Sequence, residues 1–388
     1  MEKAVAELGI EDIWKTPHVL VAGTNGKGTT SGYIWSLLSH FGHSPGLYSS
    51  PHIFSICERF LGPEKVASDE EVQSALFFVK NGFKQYESLS FFDVSTLIAL
   101  VLFRRWSVKS FVLEVGLGGR LDSTNCSDPA VSVISSIGLD HEKILGEGVE
   151  TIAAEKAGII RKNRPVVIGS SCSIPSPAER VIRQCAIKNN ARLVQIGEGE
   201  SASFLDHNWL LAKKAVEIFL ELPEISSVAE LEKVRDHAEQ RCPTFIGRMQ
   251  VIDSIESQFG KSRITIDVGH NMQCLDRLVR HMSQQPKGLV AFTCFKDKPW
   301  KLMLKRLLET EWSVQVFSSD HERSLSKEDF ASEFADVPHF GNFKSLWHSL
   351  RKREENVILT GSLMGLSEAI YFLSETSPSS FPFLGERA

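Results

Sequence analysis

One segment near the amino terminus constrains the fold more than any other, because an apolar strand runs into a glycine-rich turn and then into a helix. It reads His18-Val-Leu-Val-Ala-Gly23-Thr-Asn-Gly-Lys27-Gly-Thr29-Thr30. Its glycines let successive backbone N–H groups point at one anion, and the amino end of the helix adds positive potential. Lys27 supplies a full charge for β- and γ-phosphates, and the Thr29 hydroxyl can approach Mg²⁺. The order of these features favours phosphate binding over an ordinary glycine-rich turn, although Val21 stands where the common P-loop pattern has glycine.

The rest of the first half alternates short apolar runs with longer amphipathic ones, which predicts an α/β fold with a parallel sheet flanked by helices. The candidate strands are Val19–Ala22, Ser110–Val115, Val131–Ser135 and Val166–Ile168. The candidate helices are Thr29–Phe41, Asp69–Phe83, Val94–Trp106, Thr151–Gly158 and Pro177–Asn189. Each strand ends in a glycine-rich or polar loop, so functional groups are expected along the carboxyl edge of the sheet.

A length of 388 residues favours two domains, and the pattern changes from helix to strand around Arg241–Arg248. A polar stretch, Gly197–Asn208, precedes two helical runs before this point. After it, alternating strands and helices return, from Arg263–Val268 to Leu366–Ser374. The sequence therefore predicts a first domain over residues 1–245 and a smaller α/β domain over 246–388, with a loosely ordered tail from Pro378.

Charge and composition limit the partners of this chain. A net charge of −5 and a pI near 6.2 give no field for holding DNA or RNA. The seven cysteines include no C-x-x-C pair, so neither a disulfide framework nor a cysteine zinc site is indicated. The longest apolar run, Val94–Phe103, is too short to cross a bilayer. We expect a cytoplasmic monomer that acts on small molecules, with no nucleic acid or membrane partner.

Two further strand ends carry side chains suited to a metal ion. Glu114 closes a buried strand before a flexible turn, and a magnesium ion on phosphates takes one or two carboxylates. Asp140-His141 follows the next strand and should lie nearby, although a lone histidine is more often structural. By itself, Lys156 reads as a solvated helix residue. The chain lacks the Asn-Lys-x-Asp guanine motif, the G-x-G-x-x-G spacing for nicotinamide cofactors and a G-x-S-x-G serine elbow.

Together these motifs resemble the folylpolyglutamate synthase/dihydrofolate synthase family of the Mur-ligase superfamily. The matching segments are Ala22–Thr29, Leu47-Tyr-Ser-Ser-Pro-His52 with Glu58-Arg59, Leu113–Asn125, Ser136-Ile-Gly-Leu-Asp-His141, Glu155-Lys-Ala-Gly-Ile159, Gly247-Arg248-Met-Gln, Ile266–Asn271 and Thr360-Gly-Ser-Leu363. The resemblance implies a P-loop ATPase domain with a parallel sheet and a smaller Rossmann-like carboxy-terminal domain. It also implies an amide-forming ligase that uses ATP, magnesium at two sites, L-glutamate and a pterin or folate acid.

The resemblance further assigns individual residues. ATP would contact Thr24, Asn25, Gly26, Lys27, Gly28, Thr29, Asn208, Arg248 and Asp267, and magnesium would contact Thr29, Ser50, Glu114 and His141. The pterin side would comprise Phe91, Phe92, Leu121, Asp122 and Ser123, while His270 and Asn271 would position glutamate. Lys156 matches a lysine that is carbamylated in relatives, so the implied catalytic residues are Lys27, Lys156 and His270.

The resemblance leaves several alternatives open. The acid that receives glutamate is dihydropteroate, a tetrahydrofolate polyglutamate or both, and only seventeen residues precede His18, which puts pterin contacts made by a longer leader in doubt. A ligase that adds amino acids to a UDP-linked peptidoglycan precursor is the nearest rival. A nucleotide-binding paralogue without catalysis is another. In the main reading, phosphoryl transfer makes an acyl phosphate, which the amine of glutamate then displaces.

Overall fold

The computed structural model describes residues 1–197, 204–222, 228–252, 263–350 and 356–376. The chain forms two compact units, Met1–Thr244 and Phe245–Ala388. Each unit has its own mostly parallel sheet with helices packed on it, so the α/β fold class is confirmed. Residues 198–203 of the predicted polar stretch and the predicted tail from Pro378 lie outside the described residues.

A seven-stranded sheet organises the first unit. Its strands are β1 His18–Ala22, β2 Pro45–Tyr48, β3 Phe60–Leu61, β4 Ser110–Glu114, β5 Val131–Ile134, β6 Val166–Ile168 and β7 Leu193–Gln195. Their order is β3-β2-β4-β1-β5-β6-β7, and every neighbouring pair is parallel except β2 with β3. Because β1 lies between β4 and β5, the loops after these three strands meet at one carboxyl edge.

Helices cover both faces of this sheet. They are α1 Glu2–Glu7, α2 Lys27–His40, α3 Asp69–Gly82, α4 Phe91–Arg105, α5 Glu142–Leu145, α6 Val149–Ala157, α7 Ser176–Lys188, α8 Phe204–Phe219 and α9 Val228–Arg241. Successive side chains of a strand point to opposite faces, so β1, buried along its whole length, is apolar on both. Helix α2 packs against the sheet and against α8 and α9, which is why Thr29–Leu38 is buried throughout.

Among the differences from the sequence prediction, three concern elements close to the predicted site residues. Helix α4 begins at Phe91 rather than Val94, because Ser90 and Asp93 form a reciprocal capping box at its start. Helix α8 begins at Phe204, so Asn208 lies within a helix and not at the end of a polar loop. Strand β2 was not predicted, since Pro45 and Gly46 have low strand propensity; its place between β3 and β4 determines its conformation.

The second unit has a six-stranded sheet of order β12-β11-β10-β13-β9-β8, parallel except for β8 with β9. Its strands are β8 Gln250–Ile252, β9 Arg263–Asp267, β10 Gly288–Thr293, β11 Ser313–Phe317, β12 His339–Phe340 and β13 Asn356–Gly361. Its helices are α10 Met272–Met282, α11 Trp300–Leu308, α12 Lys327–Phe334, α13 Phe343–Leu350 and α14 Leu363–Thr376. Across the described ranges of both units, every helix is too short or too polar to cross a membrane.

Candidate active site

The glycine-rich turn after β1 is closed by its own lysine. Gly26 is the residue before helix α2 and has a φ of 83°, a left-handed conformation that glycine adopts without a steric penalty. Lys27 begins the helix, and its Nζ donates to the carbonyl oxygens of Gly23 at 3.0 Å and Thr24 at 3.3 Å. The ammonium group is thereby held over the turn, beside the N–H groups at the start of α2.

The end of β5 fixes the shape of this turn. The backbone N–H of Asn25 donates to Ser136 Oγ at 2.9 Å, and Ser135 Oγ donates to the Asn25 carbonyl at 2.7 Å. The Thr24 N–H donates to the Ser136 carbonyl at 2.8 Å. Sequence reasoning gave these two serines no role, although two adjacent buried serines at a strand end are a signal that could have indicated one.

Thr29 carries a buried hydroxyl that is unpaired in the described structure. Its side chain is 1% exposed, and Oγ1 has no hydrogen-bond partner. An unpaired buried hydroxyl is costly unless a ligand or water completes it. Two residues after Lys27 and still in the first turn of α2, this hydroxyl suits a metal ion held between protein and phosphate oxygens.

Glu114 brings the second strand end to the same place. Its side chain is 3% exposed at the end of β4, and Oε2 accepts the backbone N–H of Ser50 at 3.0 Å. A Cβ atom added to Gly28 would lie only 3.4 Å from that Oε2 and 3.5 Å from Oε1, so the carboxylate lies against the start of α2. The predicted metal residues Ser50, Glu114 and Thr29 therefore surround the amino end of one helix.

His141 lies on the other side of the turn, after β5. Its backbone is left-handed, with φ of 55°, and its side chain is 44% exposed. The ring Nε2 is 3.8 Å from Asp140 Oδ1, and that same oxygen accepts the His141 N–H at 3.0 Å. The His141 side chain is thus partly accessible to solvent in the loop that follows β5.

The described residues hold no group of three or more His, Cys, Asp and Glu side chains that could bind a metal by themselves. The predicted set instead combines one carboxylate, one imidazole and two hydroxyl groups. Mg²⁺ commonly binds proteins through one or two carboxylates while phosphates and water complete its shell. The orphaned Thr29 hydroxyl follows Gly28, the residue that the Glu114 carboxylate approaches, and fits such a site, which needs a bound nucleotide to be complete.

Lys156 is buried within the site, so the interpretation of it as a solvated residue is wrong. Only 4% of it is exposed, and its Nζ donates to the Gly23 carbonyl at 3.0 Å. Burial, with a smaller contribution from the charge of Lys27, lowers the pKa of Lys156 to about 7; Asp140 and Asp122 act in the opposite direction. A substantial fraction of this lysine is therefore a neutral amine near pH 7.

A cavity of about 570 Å³ adjoins the Ser50 end of the site. Its lining includes Ser50, Arg59, Phe92, Leu121, Asp122 and Ser123. It thus brings together four of the five residues that the resemblance places on the pterin side. Phe91 does not line it: this ring is 59% exposed, and the guanidinium carbon of Arg59 lies 5.2 Å from its centroid.

Asp122 holds the loop that forms one wall of this cavity. One oxygen accepts the N–H groups of Gly116 and Leu117, each at 3.0 Å, and the other accepts the N–H and hydroxyl of Thr124. Burial raises the pKa of Asp122 even though these hydrogen bonds favour its anionic form. Its carboxylate is thus engaged in shaping the loop.

Arg161 fixes the far end of the same loop and was missed by sequence reasoning. Its Nη2 donates to the carbonyl and side-chain oxygens of Asn125 at 2.7 and 2.6 Å, and other N–H groups reach Ser127 and Gly158. Asn125 in turn donates to the carbonyls of Arg120 and Gly158, both at 3.1 Å. These bonds connect the loop to the end of α6, the helix that carries Lys156.

Asn208 lies on the first half of α8 and is fully buried. Neither its amide nitrogen nor its amide oxygen has a hydrogen-bond partner in the described structure. The preceding residue, His207, places its Nε2 2.9 Å from Ser173 Oγ, which locates this turn of α8 above the loop after β6. An unpaired buried amide with both a donor and an acceptor is suited to reading a heterocyclic base.

The second unit places its predicted residues around the end of β9. Asp267 closes the strand; its Oδ1 accepts the Gly269 N–H at 3.0 Å, and burial raises its pKa against the opposing effect of Arg248. His270 Nδ1 is 3.2 Å from the Val268 carbonyl oxygen. Asn271 caps helix α10, because its Oδ1 accepts the Cys274 N–H at 3.0 Å.

Known proteins resemble this chain over nearly its whole length. A dihydrofolate synthase/folylpolyglutamate synthase of Haemophilus influenzae is 35% identical over 404 aligned positions, covering 95% of this chain and 87% of the relative. The protein of that name from Escherichia coli is 30% identical, covering 92% and 86%. The chain belongs to the dihydrofolate synthase/folylpolyglutamate synthase family. The resemblance seen in the motifs is therefore confirmed.

Solved structures of this family support the same assignment. The bifunctional folylpolyglutamate synthase/dihydrofolate synthase of Yersinia pestis has a TM-score of 0.80 and 27% identity, covering 96% of this chain and 93% of the other. A structure of a bifunctional enzyme of that name with Mn, AMPPNP and L-glutamate bound matches with the same TM-score, identity and coverage. No protein-family model matches the chain.

Proposed function

We propose that this chain is an ATP-dependent ligase that joins L-glutamate to the carboxylate of a pterin-linked or folate-type acid. The observation that carries the proposal is the convergence of Lys27, the unpaired Thr29 hydroxyl and the Glu114 carboxylate at the amino end of α2. The cavity that begins at Ser50 supplies an adjoining compartment for an acid substrate. Family membership and relatives with nucleotide and glutamate bound support this reading.

The nucleotide would bind with its phosphates on the turn after β1. The first N–H groups of α2 and the Lys27 ammonium offset the phosphate charge. The hydrogen bonds between Asn25 and the two serines, Ser135 and Ser136, hold the turn in shape before binding. We assign the unpaired amide of Asn208 to the adenine base. Arg248 and Asp267 of the second unit are proposed as further contacts to ATP.

Chemistry begins with the acid, because an amine does not displace oxide from a carboxylate. Transfer of the γ-phosphoryl group from ATP to the carboxylate breaks the β–γ bridge bond and gives an acyl phosphate with ADP as the leaving group. Divalent ions at two sites formed by Glu114, Thr29, Ser50 and His141 would supply charge neutralisation on the transferred group. Lys27 holds the same phosphoryl oxygens during transfer.

The second half of the reaction forms the amide. The amine of L-glutamate attacks the acyl carbon, inorganic phosphate leaves and the amine loses a proton. We assign glutamate positioning to His270 and Asn271, which share the carboxyl end of β9. Acyl phosphates hydrolyse, so the site must exclude water while the intermediate is present. The enzyme should therefore release ADP rapidly only when glutamate is present.

We further propose that Lys156 becomes carbamylated. Its neutral amine, favoured by a pKa of about 7, adds to carbon dioxide to form a carbamate and releases one proton. The product replaces a buried ammonium with an anion bearing two oxygens, which removes the repulsion from Lys27 and offers ligands for a metal. Carbon-13 NMR of the parent chain with labelled bicarbonate should give a carbamate signal that Lys156→Ala lacks. Identical spectra for the two proteins would refute the carbamylation of Lys156 and leave the ligase proposal standing.

A phosphate-release assay tests the ligase function and its substrate. The purified chain receives Mg-ATP and L-glutamate with dihydropteroate, a tetrahydrofolate or a UDP-sugar peptide as the acid. We expect release with one or both folate acids, and a loss of about 10²-fold or more in Lys27→Met. The exposed Lys162→Met serves as the matched control and should keep full activity. Release with the UDP-sugar peptide alone, or with none of the acids, would refute the proposal.

A further inference from the structure

The chain leaves the first unit through a short segment, Cys242–Thr244, that follows helix α9. Cys242 and Pro243 are buried, whereas Thr244 is half-buried and is the last residue of the unit. The helix before the segment is fixed to α2. Tyr33 Oη donates to Glu239 Oε1 at 2.5 Å, and Ser36 Oγ donates to the Val234 carbonyl at 2.9 Å. The phosphate-binding helix and the exit from this unit are therefore parts of one packed assembly.

Thr244 also lies at the candidate metal and phosphate site. A Cβ atom added to Gly28 would be 3.5 Å from Thr244 Cβ and 3.4 Å from Glu114 Oε2. The threonine side chain and the carboxylate thus converge on the same point outside the first turn of α2. Glycine at position 28 leaves the space that these two groups share.

The hydroxyl of Thr244 is bonded to a weak partner. Its Oγ1 lies 3.1 Å from the Sγ atom of Cys242, and either atom can be the donor. Burial raises the pKa of Cys242 to about 11, and the charge of Glu114 adds to this, so the thiol is neutral near pH 7. A thiol is a weak hydrogen-bonding group, whereas a phosphate oxygen or a metal-bound water is a strong one.

Resting on the proposed function, we infer that Thr244 is a further positioning residue of the nucleotide site. When Mg-ATP binds, the Thr244 hydroxyl leaves the Cys242 thiol and hydrogen-bonds to a phosphate oxygen or a metal-bound water. This new bond holds the Cys242–Thr244 segment against the start of α2. Since α9 is already anchored to α2, the change is confined to the three residues at the exit from the unit. Nucleotide occupancy is thereby transmitted to the connection between the two units.

The hydroxyl can be tested by steady-state kinetics. Thr244→Val removes it with little change of shape and should raise the KM for Mg-ATP about tenfold while kcat falls less than twofold. Thr244→Ser should restore the KM to within about twofold of the parent value. The control Thr16→Val changes a half-buried threonine before β1 and should leave both constants unchanged. A parental KM in Thr244→Val would overturn the inference.

Alkylation of Cys242 tests the segment in the unaltered chain. Cys242 is fully buried, so iodoacetamide reaches it only when the segment opens; Cys57, equally buried in the same unit, reports wider unfolding. Trypsin releases Cys242 on a peptide that ends at Arg248 and Cys57 on a peptide that ends at Arg59, and neither peptide contains another cysteine. We expect Mg-ATP to slow alkylation of Cys242 at least fivefold more than that of Cys57, and Thr244→Val to lose this difference.

The two proposals fail in different ways. Calorimetry that finds no binding of Mg-ATP to the parent chain would refute the proposed function, and this inference with it. Binding of Mg-ATP with equal protection of Cys242 and Cys57 would overturn only the inference. Because the parent chain supplies this comparison, the result does not depend on whether Thr244→Val folds.

Discussion

Lys27 and Lys156 donate to one and the same carbonyl oxygen, that of Gly23, each at 3.0 Å. Two ammonium groups that share an acceptor repel each other, and only Lys156 is almost completely buried. Burial and the nearby charge of Lys27 therefore lower the pKa of Lys156 to about 7. A single backbone oxygen thus links the charge that holds phosphate to the amine proposed for carbamylation.

The lowered pKa predicts how stability depends on pH in buffer free of carbon dioxide. The folded-state pKa is about 7 and the ordinary value is 10.5, so between these values the unfolded chain binds more protons than the folded chain. The free energy of unfolding should therefore rise with pH across this window, by up to about 1.4 kcal/mol per pH unit. Urea titrations of the parent and Lys156→Met should show the variant to be relatively more stable at low pH and to lose that advantage by pH 10. Parallel curves would contradict the prediction, and the exposed Lys162→Met should follow the parent.

Glu114 should control the metal requirement. Glu114→Gln keeps an acceptor for the Ser50 N–H but removes the negative charge that lies against the start of α2. We expect a loss in kcat of about 10²-fold or more and a large increase in the Mg²⁺ concentration for half-maximal rate. The measurement is a magnesium titration at saturating ATP, with the exposed Glu147→Gln as the matched control. An unchanged magnesium requirement would exclude Glu114 as a ligand.

Much of the fold and part of the site were predictable because local signals agree with global ones. Strand β1 is apolar on both faces, and the turn that follows contains the glycines and the lysine that a phosphate loop needs. Glu114 was predicted as a metal residue because it closes a buried strand beside a flexible turn, and magnesium on phosphates takes one or two carboxylates. Lys27 and Glu114 each follow or close a single strand, and a sequence pattern can locate such a strand end.

What sequence reasoning missed depends on contacts between distant segments. Ser135 acts on Asn25 only because β5 lies beside β1, and Arg161 reaches Asn125 only because α6 packs against the loop after β4. The burial of Lys156 has the same origin: its helix is placed under the turn after β1. Periodicity along the chain carries no information about such pairings.

Arg161 should contribute more to the free energy of unfolding than Arg164, a neighbouring arginine with one exposed partner. Arg161→Met removes four hydrogen bonds that hold Asn125, Ser127 and Gly158, whereas Arg164→Met removes one exposed pair with Asp128. We expect the first to lower the free energy of unfolding by about 2–4 kcal/mol and the second by less than about 1 kcal/mol. Chemical denaturation measures both. The loop held by Arg161 also borders the cavity, so the KM for the folate acid should rise in Arg161→Met only. Equal effects of the two variants would refute the role of Arg161 in holding this loop.

Asn208 should cost stability in the free protein and contribute to nucleotide binding. Its amide is fully buried without a partner, so Asn208→Leu removes an unsatisfied polar group at nearly constant volume. We expect the free energy of unfolding without nucleotide to rise by about 1 kcal/mol. The same variant should bind Mg-ATP at least about tenfold more weakly, because it loses the hydrogen bonds that we assign to the base.

Asn189→Leu is the matched control: its amide already donates to the Cys185 carbonyl at 2.9 Å, so this change should destabilise the protein and leave ATP binding unaltered. Calorimetry with ATP and GTP on both variants separates the two effects, and an Asn208→Leu protein that is less stable yet binds ATP as the parent does would show that the amide is structural.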